Sequence, residues 1–149
     1  MSTFKNFCGE VHVLFSYPKN IIILIARLAL AYGFAQPALM KLSDMTATAA
    51  WFESISIPFP TFTAYFVSGI ETIGIIGLIL GLFTRPISIL LSFIMMGAII
   101  FVHAPHGFSV ADNGIEIPLY YMLFLFIFAS FGGGKYSLDH ILFKDGNDE

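Results

Sequence analysis

The chain has 149 residues, of which 57% are hydrophobic and only 11% are charged, and its net charge is −3. A soluble domain carries about 25% charged residues, so this composition argues against a water-soluble globular protein. The absence of a basic run argues against a nucleic-acid partner, and the single cysteine, Cys8, excludes an internal disulfide and a CxxC redox pair.

The N-terminal segment does not have the features of a cleavable signal peptide. It contains Glu10 and His12, and the first long apolar run begins only at Ile21. No small-residue cleavage site followed by a soluble domain is present. We therefore expect the first apolar run to be a permanent membrane span.

Four apolar segments follow, at about residues 20–40, 62–83, 86–104 and 117–133. A spanning helix needs about 20 residues, with a range of about 17–25. Helices of a soluble bundle would each show a polar stripe, whereas runs such as residues 21–25 are apolar all round. The sequence thus predicts an all-α protein, a four-helix transmembrane bundle that forms a single membrane domain.

The first loop, residues 37–61, is long for a tight bundle and predicts an additional short helix. Met45, Ala49 and Phe52 recur at helical spacing. Trp51, the only tryptophan, is typical of a membrane–water interface. We expect an interfacial helix on the outer face of the bundle, with an irregular loop as the alternative.

The distribution of basic residues predicts that both termini are cytoplasmic, because cytoplasmic loops are enriched in Lys and Arg. Five cations fall in the three segments that share one side of a four-span protein: Lys5, Lys19, Arg85, Lys135 and Lys144. The other side carries only Lys41. We expect residues 140–149, at the end of the chain, to form a flexible tail.

Small residues recur four positions apart on the first two spans. The pairs are Ala29 and Gly33, Ala31 and Ala35, and Gly77 and Gly81. This spacing lets helix backbones approach closely in lipid. Close packing within one chain explains the pattern, and a seam between two copies in a homo-oligomer is the alternative.

Two ionisable residues fall inside predicted spans, where charges are costly and usually functional: Arg27 in the first and Glu71 in the second. The spans run in opposite directions, and a rise of about 1.5 Å per residue puts the two at depths within reach of an arginine side chain. We expect a buried ion pair in which Glu71 orients Arg27. Such a pair either fixes the helix register or belongs to a functional site.

A second ionisable group gathers at the outer helix ends. Its members are Lys41, His103, His106, Asp112 and Glu116. Histidine and carboxylate groups can relay protons or bind a metal. The spacing of His103 and His106 matches no strong metal motif, so we expect no metal site and interpret the group as a polar pocket that opens outward.

Glu116 also has a purely structural interpretation. Asn113 and Glu116 have the spacing of a helix capping box, and Pro118 suits the first turn of a helix. The two signals place the helix start differently. From the sequence, Glu116 is equally well interpreted as a helix cap and as a residue of the functional site.

Taken together, these residues resemble the DoxX family of small membrane proteins. The resemblance rests on Arg27, Gly33 and Lys41, on Glu71 with the stretch GLILGLFTRP that ends at Pro86, on His103 and Glu116, and on the closing GGGKYSLD at residues 132–139. It covers about residues 21–139. It departs at residues 36–40, which read QPALM where the family often has a His-Gly pair before the lysine.

The resemblance implies a four-helix protein of the bacterial inner (cytoplasmic) membrane with a redox-associated role, linked to quinone or to sulfur compounds. The residues implied in binding a quinone or a small anion are Arg27, Lys41, Glu71, His103, His106 and Glu116. Arg27 and Lys41 would supply positive charge, while His103 and Glu116 would move protons. The chain encodes no redox centre, so electrons would come from a bound cofactor or a membrane redox partner.

Three functions stay open at this level. The first is a subunit of an oxidoreductase, and the second is a membrane anchor or assembly partner for another enzyme. The third is a small transporter. Polar groups within the bilayer favour the first over an anchor, and the absence of a convincing repeat between the two halves argues against a transporter.

Overall fold

The computed structural model describes residues 2–143, and all regular structure within them is helical. The helices are α1 (Ser2–Ser16), α2 (Lys19–Ser43), α3 (Met45–Ser54), α4 (Pro60–Leu80), α5 (Thr84–Ala98), α6 (Glu116–Phe131) and α7 (Leu138–Phe143). The prediction of an all-α protein is confirmed. The predicted flexible tail overlaps α7 at residues 140–143, and its remainder, residues 144–149, lies outside the described residues.

Three helical stretches are long and apolar enough to cross a membrane. They are α2, with 25 residues, α4, with 21 residues, and α5 with its continuation to His106, with 23 residues. The continuation consists of a π-helical turn, Ile99–His103, and a 3-10 turn. Helix α6 is apolar but has only 16 residues, or about 24 Å, so a fourth crossing stays a prediction.

Local sequence signals account for the boundaries of α3 and α4. The carboxylate of Asp44 accepts a hydrogen bond from the amide of Ala47 at 2.9 Å and caps α3. Pro60 occupies the first turn of α4, and Gly81, with φ of 65°, ends that helix in the left-handed conformation. The predicted short helix in the first loop is therefore confirmed, as is its helical face, because Phe52 is buried.

One hydrophobic core joins α2, α4, α5 and α6. Its buried members are Leu30, Ala31, Phe34, Leu78, Leu91, Met95, Leu125 and Phe128. Side chains such as Ile73 and Phe93 lie on the outside of the bundle and are 64% and 66% exposed. An apolar exterior around an apolar core is what a lipid-embedded bundle requires.

Two glycines of the small-residue pairs, Gly33 and Gly77, pack against neighbouring helices of the same chain. The hydroxyl of Tyr121, on α6, occupies the space in which a Cβ at Gly33 would stand. The side chain of Ile87, on α5, occupies the same position at Gly77. Both glycines let neighbouring helices approach closely, and this supports the interpretation of packing within one chain.

The bundle has two ends that differ in composition. The terminal end, as we name it, holds the start of α2, the α4–α5 turn and residues 132–143. The loop end holds the end of α2, α3, the start of α4 and the third loop, residues 107–115. The sequence predicts the terminal end to be cytoplasmic.

Helix α1 was not predicted from the sequence. Every side chain from Thr3 to Ser16 is exposed, so the helix stands apart from the core of the bundle. The sequence does show apolar residues at helical spacing there, but α1 has 15 residues, fewer than the about 20 that a membrane span needs.

Candidate functional site

Lys41 and Glu71 form an ion pair inside the loop-end half of the bundle. The Lys41 Nζ lies 2.8 Å from Glu71 Oε2. The two side chains are 16% and 4% exposed, respectively. A buried ion pair is costly to desolvate and persists when geometry and charge are well matched. It joins the last turns of α2 to the middle of α4.

The predicted pair of Arg27 and Glu71 is wrong. The guanidinium of Arg27 lies against the backbone of Gly81, one residue beyond the end of α4. Glu71 precedes Gly81 by ten residues, or about 15 Å along the helix axis, which an arginine side chain cannot span. The depths of Arg27 and Glu71 had been estimated from the ends of the apolar segments, which do not show how far α2 and α4 are shifted along their axes. The residue that pairs with Glu71 is Lys41.

Helix α3 follows directly on the end of α2 and packs mainly against α4. Its Thr48 hydroxyl lies 3.1 Å from the carbonyl of Lys41 and 2.9 Å from that of Asp44, and this holds α3 to the end of α2. Phe52 is 5% exposed, whereas the neighbouring Trp51 is 44% exposed. Helix α3 is therefore held at the loop end by a buried face that contains Thr48 and Phe52, and Trp51 lies on its exposed side.

Ser68 adds a polar group on the same face of α4 as Glu71. It lies one turn before Glu71, a spacing that places both side chains on one side of the helix. Ser68 is 1% exposed, and within residues 2–143 its hydroxyl has no hydrogen-bond partner. A buried hydroxyl without a partner is costly, so this position can bind a further polar group.

The remaining loop-end residues form a separate arrangement in the third loop. His103 Nδ1 lies 2.8 Å from the carbonyl oxygen of Asn113. Glu116 Oε2 accepts a hydrogen bond from the amide of Val110 at 2.9 Å, and its Oε1 accepts one from the Tyr120 hydroxyl at 3.4 Å. The His103 contact joins the loop to the π-helical turn after α5, the Val110 bond joins it to the start of α6, and the Tyr120 bond lies within α6.

Neither His106 nor Asp112 adds a polar contact to that arrangement. Both are exposed, and neither side chain makes a hydrogen bond or ion pair within the described part of the chain. Among residues 2–143 no hydrogen bond or ion pair joins the third loop to Lys41 or Glu71. Over the same residues, no three His, Cys, Asp or Glu side chains come together as a metal site would require.

The predicted capping box between Asn113 and Glu116 does not form. Asn113 adopts a left-handed conformation, with φ of 61°, and Ile115 is the residue before α6. Glu116 bonds to Val110 rather than to Asn113. Pro118 does lie in the first turn of α6, as predicted.

Arg27 lies at the terminal end, where it holds the C-terminal segment. It is fully buried, and its Nη2 donates a hydrogen bond to the carbonyl of Tyr136 at 2.6 Å. Within residues 2–143 its Nε and Nη1 have no hydrogen-bond partner. Lys41 follows Arg27 by 14 residues on α2, or about 21 Å, so the two cations do not share a pocket.

Two glycines make room for the guanidinium. A Cβ at Gly81 would collide with Arg27 Nη1. A Cβ at Gly133 would stand 2.7 Å from Thr84 Oγ1 and 3.1 Å from Arg27 Nη1. Within the glycine-rich segment, Gly133 is therefore required by the close packing of Thr84, Ser137 and Arg27, whereas the sequence alone had suggested only a resemblance.

Asp139 completes the terminal end by capping α5. Its two carboxylate oxygens accept hydrogen bonds from the amides of Phe83, at 2.6 Å, and Thr84, at 2.8 Å. A carboxylate at a helix N-terminus satisfies free amides and complements the helix dipole. The same group supplies a negative charge that acts on Arg27. Sequence reasoning identified the Ser-Leu-Asp ending but not this role.

Comparison with known proteins places the chain among membrane proteins of one family. A protein of Haemophilus influenzae with the name "Uncharacterized protein" is 33% identical over 134 residues, which cover 85% of this chain and 86% of that protein. A second H. influenzae protein of the same name is 44% identical over 78 residues, or 50% of this chain and 58% of the relative.

A third relative, "Inner membrane protein YphA" of Escherichia coli, is 28% identical over 89 residues, which cover 60% of this chain and 64% of the relative. No solved structure matches the fold. The DoxX family profile matches residues 22–104, more than half of the chain, including Arg27, Lys41, Glu71 and His103. The protein therefore belongs to the DoxX family.

Proposed function

We propose that this protein is a redox-associated membrane subunit that binds the oxygen-bearing head of a small lipophilic molecule, such as a quinone, beside Lys41 and Glu71. The single observation that carries the proposal is the set of free donors around a buried ion pair. The Lys41 ammonium has three N–H groups, of which Glu71 engages one. The buried Ser68 hydroxyl is also free among the described residues.

This donor set suits a carbonyl or an anionic oxygen. The ammonium and the hydroxyl can each donate to an oxygen acceptor, and the Glu71 carboxylate can accept a proton from a hydroxyl of the ligand. Ala38, one turn before Lys41, and Ala64, two turns before Glu71, are buried apolar residues, and such neighbours suit the body of a quinone better than that of a hydrated anion. Arg27 has no part in this proposal, because it lies at the other end of the bundle.

We also propose that the protein lies in the inner membrane, with both termini in the cytoplasm. The name of the E. coli relative supports an inner-membrane location for this chain. The basic residues of the terminal end support cytoplasmic termini, and hence a site in the outer half of the membrane. A partner protein would exchange electrons with the bound quinone, because the chain supplies only binding and proton-accepting groups here.

Fluorescence of Trp51 tests quinone binding directly. The indole lies on α3, beside Phe52, with ring centroids 5.3 Å apart, and quinones quench indole emission at short range. Protein in lipid nanodiscs would be titrated with decylubiquinone. We expect saturable quenching in the native protein and at least tenfold weaker binding in the double variant Lys41→Met, Glu71→Gln, which removes both charges together.

Two controls decide how the titration is interpreted. His106→Gln changes an exposed side chain immediately before the third loop, and we expect it to bind like the native protein. Non-saturable quenching in all three proteins, proportional to quinone in the lipid, would reject the proposal. Equal saturable affinity in the native protein and a folded double variant would reject the ion pair as the binding site.

A further inference from the structure

The helix that precedes the first span has one apolar face. Helix α1 contains Phe4, Phe7, Val11, Leu14 and Phe15, all of which are exposed. Their spacing of three, four, three and one residues places them within an arc of about 120° at 3.6 residues per turn. Cys8 falls within the same arc. The chain thus presents an apolar stripe that its own core does not cover.

The opposite face is polar. It carries Lys5, Asn6, Gly9 and His12, and Val13 is the one large apolar residue there. Lys5 and Glu10 balance each other in charge, so the helix itself has little net charge. A helix that is divided in this way is stable when the apolar face is removed from water.

Helix α1 is joined to the first membrane-spanning helix by a short connection, which indicates that a bilayer covers its apolar face. Only Tyr17 and Pro18 separate α1 from Lys19, at which the first long apolar helix begins. Two residues span at most about 7 Å, so the end of α1 is held at the level where α2 enters the membrane. A helix of this length that lies flat at that level meets the bilayer surface over about 22 Å.

We propose that α1 lies in the interface of the bilayer, at the terminal end of the bundle, with its apolar stripe inserted between lipid headgroups. Amphipathic helices insert in this way through apolar burial, assisted by attraction to anionic lipid where the polar face is basic. The polar face of α1 is not basic. Its insertion therefore needs no anionic lipid and persists in phosphatidylcholine alone and at high salt.

Cys8 provides the probe, because it is the only cysteine and lies on the apolar stripe. The full-length protein would be labelled there with the fluorophore NBD and reconstituted in phosphatidylcholine vesicles. The comparison is Asn6→Cys in a Cys8→Ser background, on the polar face. We expect blue-shifted emission at Cys8, quenched by lipids spin-labelled near the headgroup and at least threefold less sensitive to aqueous iodide than Asn6→Cys.

A matched pair of variants tests the face. Val11 lies on the stripe and Val13 opposite it, so Val11→Asp and Val13→Asp introduce the same charge two residues apart. We expect Val11→Asp to expose the Cys8 probe to iodide and Val13→Asp to leave it protected. Equal iodide access at Cys8 and at Asn6→Cys would overturn the proposal.

The main competing occupant is a second copy of the chain. In that case the labels of two chains would lie close together and quench each other, and the emission of labelled protein would rise on mixing with an excess of unlabelled Cys8→Ser chains. That result would overturn insertion into lipid. It does not depend on quinone binding at the loop end, so the two proposals fail separately.

Discussion

The ammonium of Lys41 points into the bundle, toward Glu71, although Lys41 lies only two residues before the end of α2. A lysine near the end of a spanning helix usually extends its charge toward water. Here Nζ lies 2.8 Å from Glu71 Oε2, with the carboxylate 4% exposed. Lys41 therefore serves as the counter-ion of a carboxylate on another helix.

This pairing makes Glu71→Gln destabilising, because it leaves an uncompensated cation in the interior. Loss of one partner of a buried pair costs about 3–5 kcal/mol. The double variant Lys41→Met, Glu71→Gln should recover most of that loss. Unfolding in a series of denaturing detergent mixtures, followed by circular dichroism, measures both. Ile73→Val, at a lipid-facing position of α4, is the control. If the loss in the double variant equalled the sum of the losses in Lys41→Met and Glu71→Gln measured singly, the pair would be contradicted.

Gly133→Ala should destabilise the terminal end. The added Cβ would stand 2.7 Å from Thr84 Oγ1 and 2.8 Å from the Cβ of Ser137. Overpacking of this kind costs about 1–3 kcal/mol. Gly69→Ala is the matched control, because a Cβ there meets nothing within 4 Å. In the same unfolding assay, Gly133→Ala should lose stability and Gly69→Ala should not. Equal stability of the two variants would show that the segment around Gly133 moves to accommodate the added methyl group.

Asp139→Ala should release the start of α5, because the amides of Phe83 and Thr84 lose their acceptor. Loss of a helix cap costs about 0.5–2 kcal/mol. Asp139→Asn keeps one acceptor oxygen and should lose less. Hydrogen exchange measured by mass spectrometry should accelerate in peptides that contain residues 83–88. Unchanged exchange there in Asp139→Ala would mean that water replaces the carboxylate without loss.

Glu116→Ala should loosen the third loop, because the amide of Val110 loses its acceptor. We expect faster hydrogen exchange at residues 108–113 and no change in the centre of α6, since the helix keeps its buried contacts at Leu125 and Phe128. Glu116→Gln retains an acceptor oxygen and should exchange close to the native rate. Native exchange in both variants would show that the bond of 2.9 Å does not hold the loop.

The two ends of the bundle should face opposite sides of the membrane. Cysteines introduced at Ser109 and at Tyr136, each in a Cys8→Ser background, should react differently with a membrane-impermeant maleimide added to intact cells. We expect Ser109→Cys to react and Tyr136→Cys to react only after the cells are opened. Both positions are exposed, and reaction of both in intact cells would contradict the four-span topology.

The long apolar helices and the α3 insertion could be predicted from the sequence, whereas the predicted grouping of the polar residues was wrong, because Lys41 pairs with Glu71. Long apolar runs and the helical spacing of Met45, Ala49 and Phe52 depend on local composition, which a sequence displays directly. The identity of Glu71 as a buried, charged residue was equally visible. Its partner was not, because pairing depends on the axial offset between α2 and α4.

The role of the C-terminal segment could not be predicted for a similar reason. The sequence GGGKYSLD gives no sign that Tyr136 offers a carbonyl to Arg27 or that Asp139 caps α5. Those contacts join residues that lie far apart in the chain. One local signal was missed, the apolar stripe of α1, because 15 residues are too few to span a bilayer.

The contact between Arg27 and Tyr136 also sets an order of events during synthesis. The two residues are 109 positions apart, so the first long apolar helix leaves the ribosome long before the carbonyl that binds its guanidinium. A cation is expensive inside a bilayer without a partner. The newly made helix therefore keeps Arg27 near the headgroups until Tyr136 has been added, and a ribosome that stops before that residue leaves the bundle open at that end.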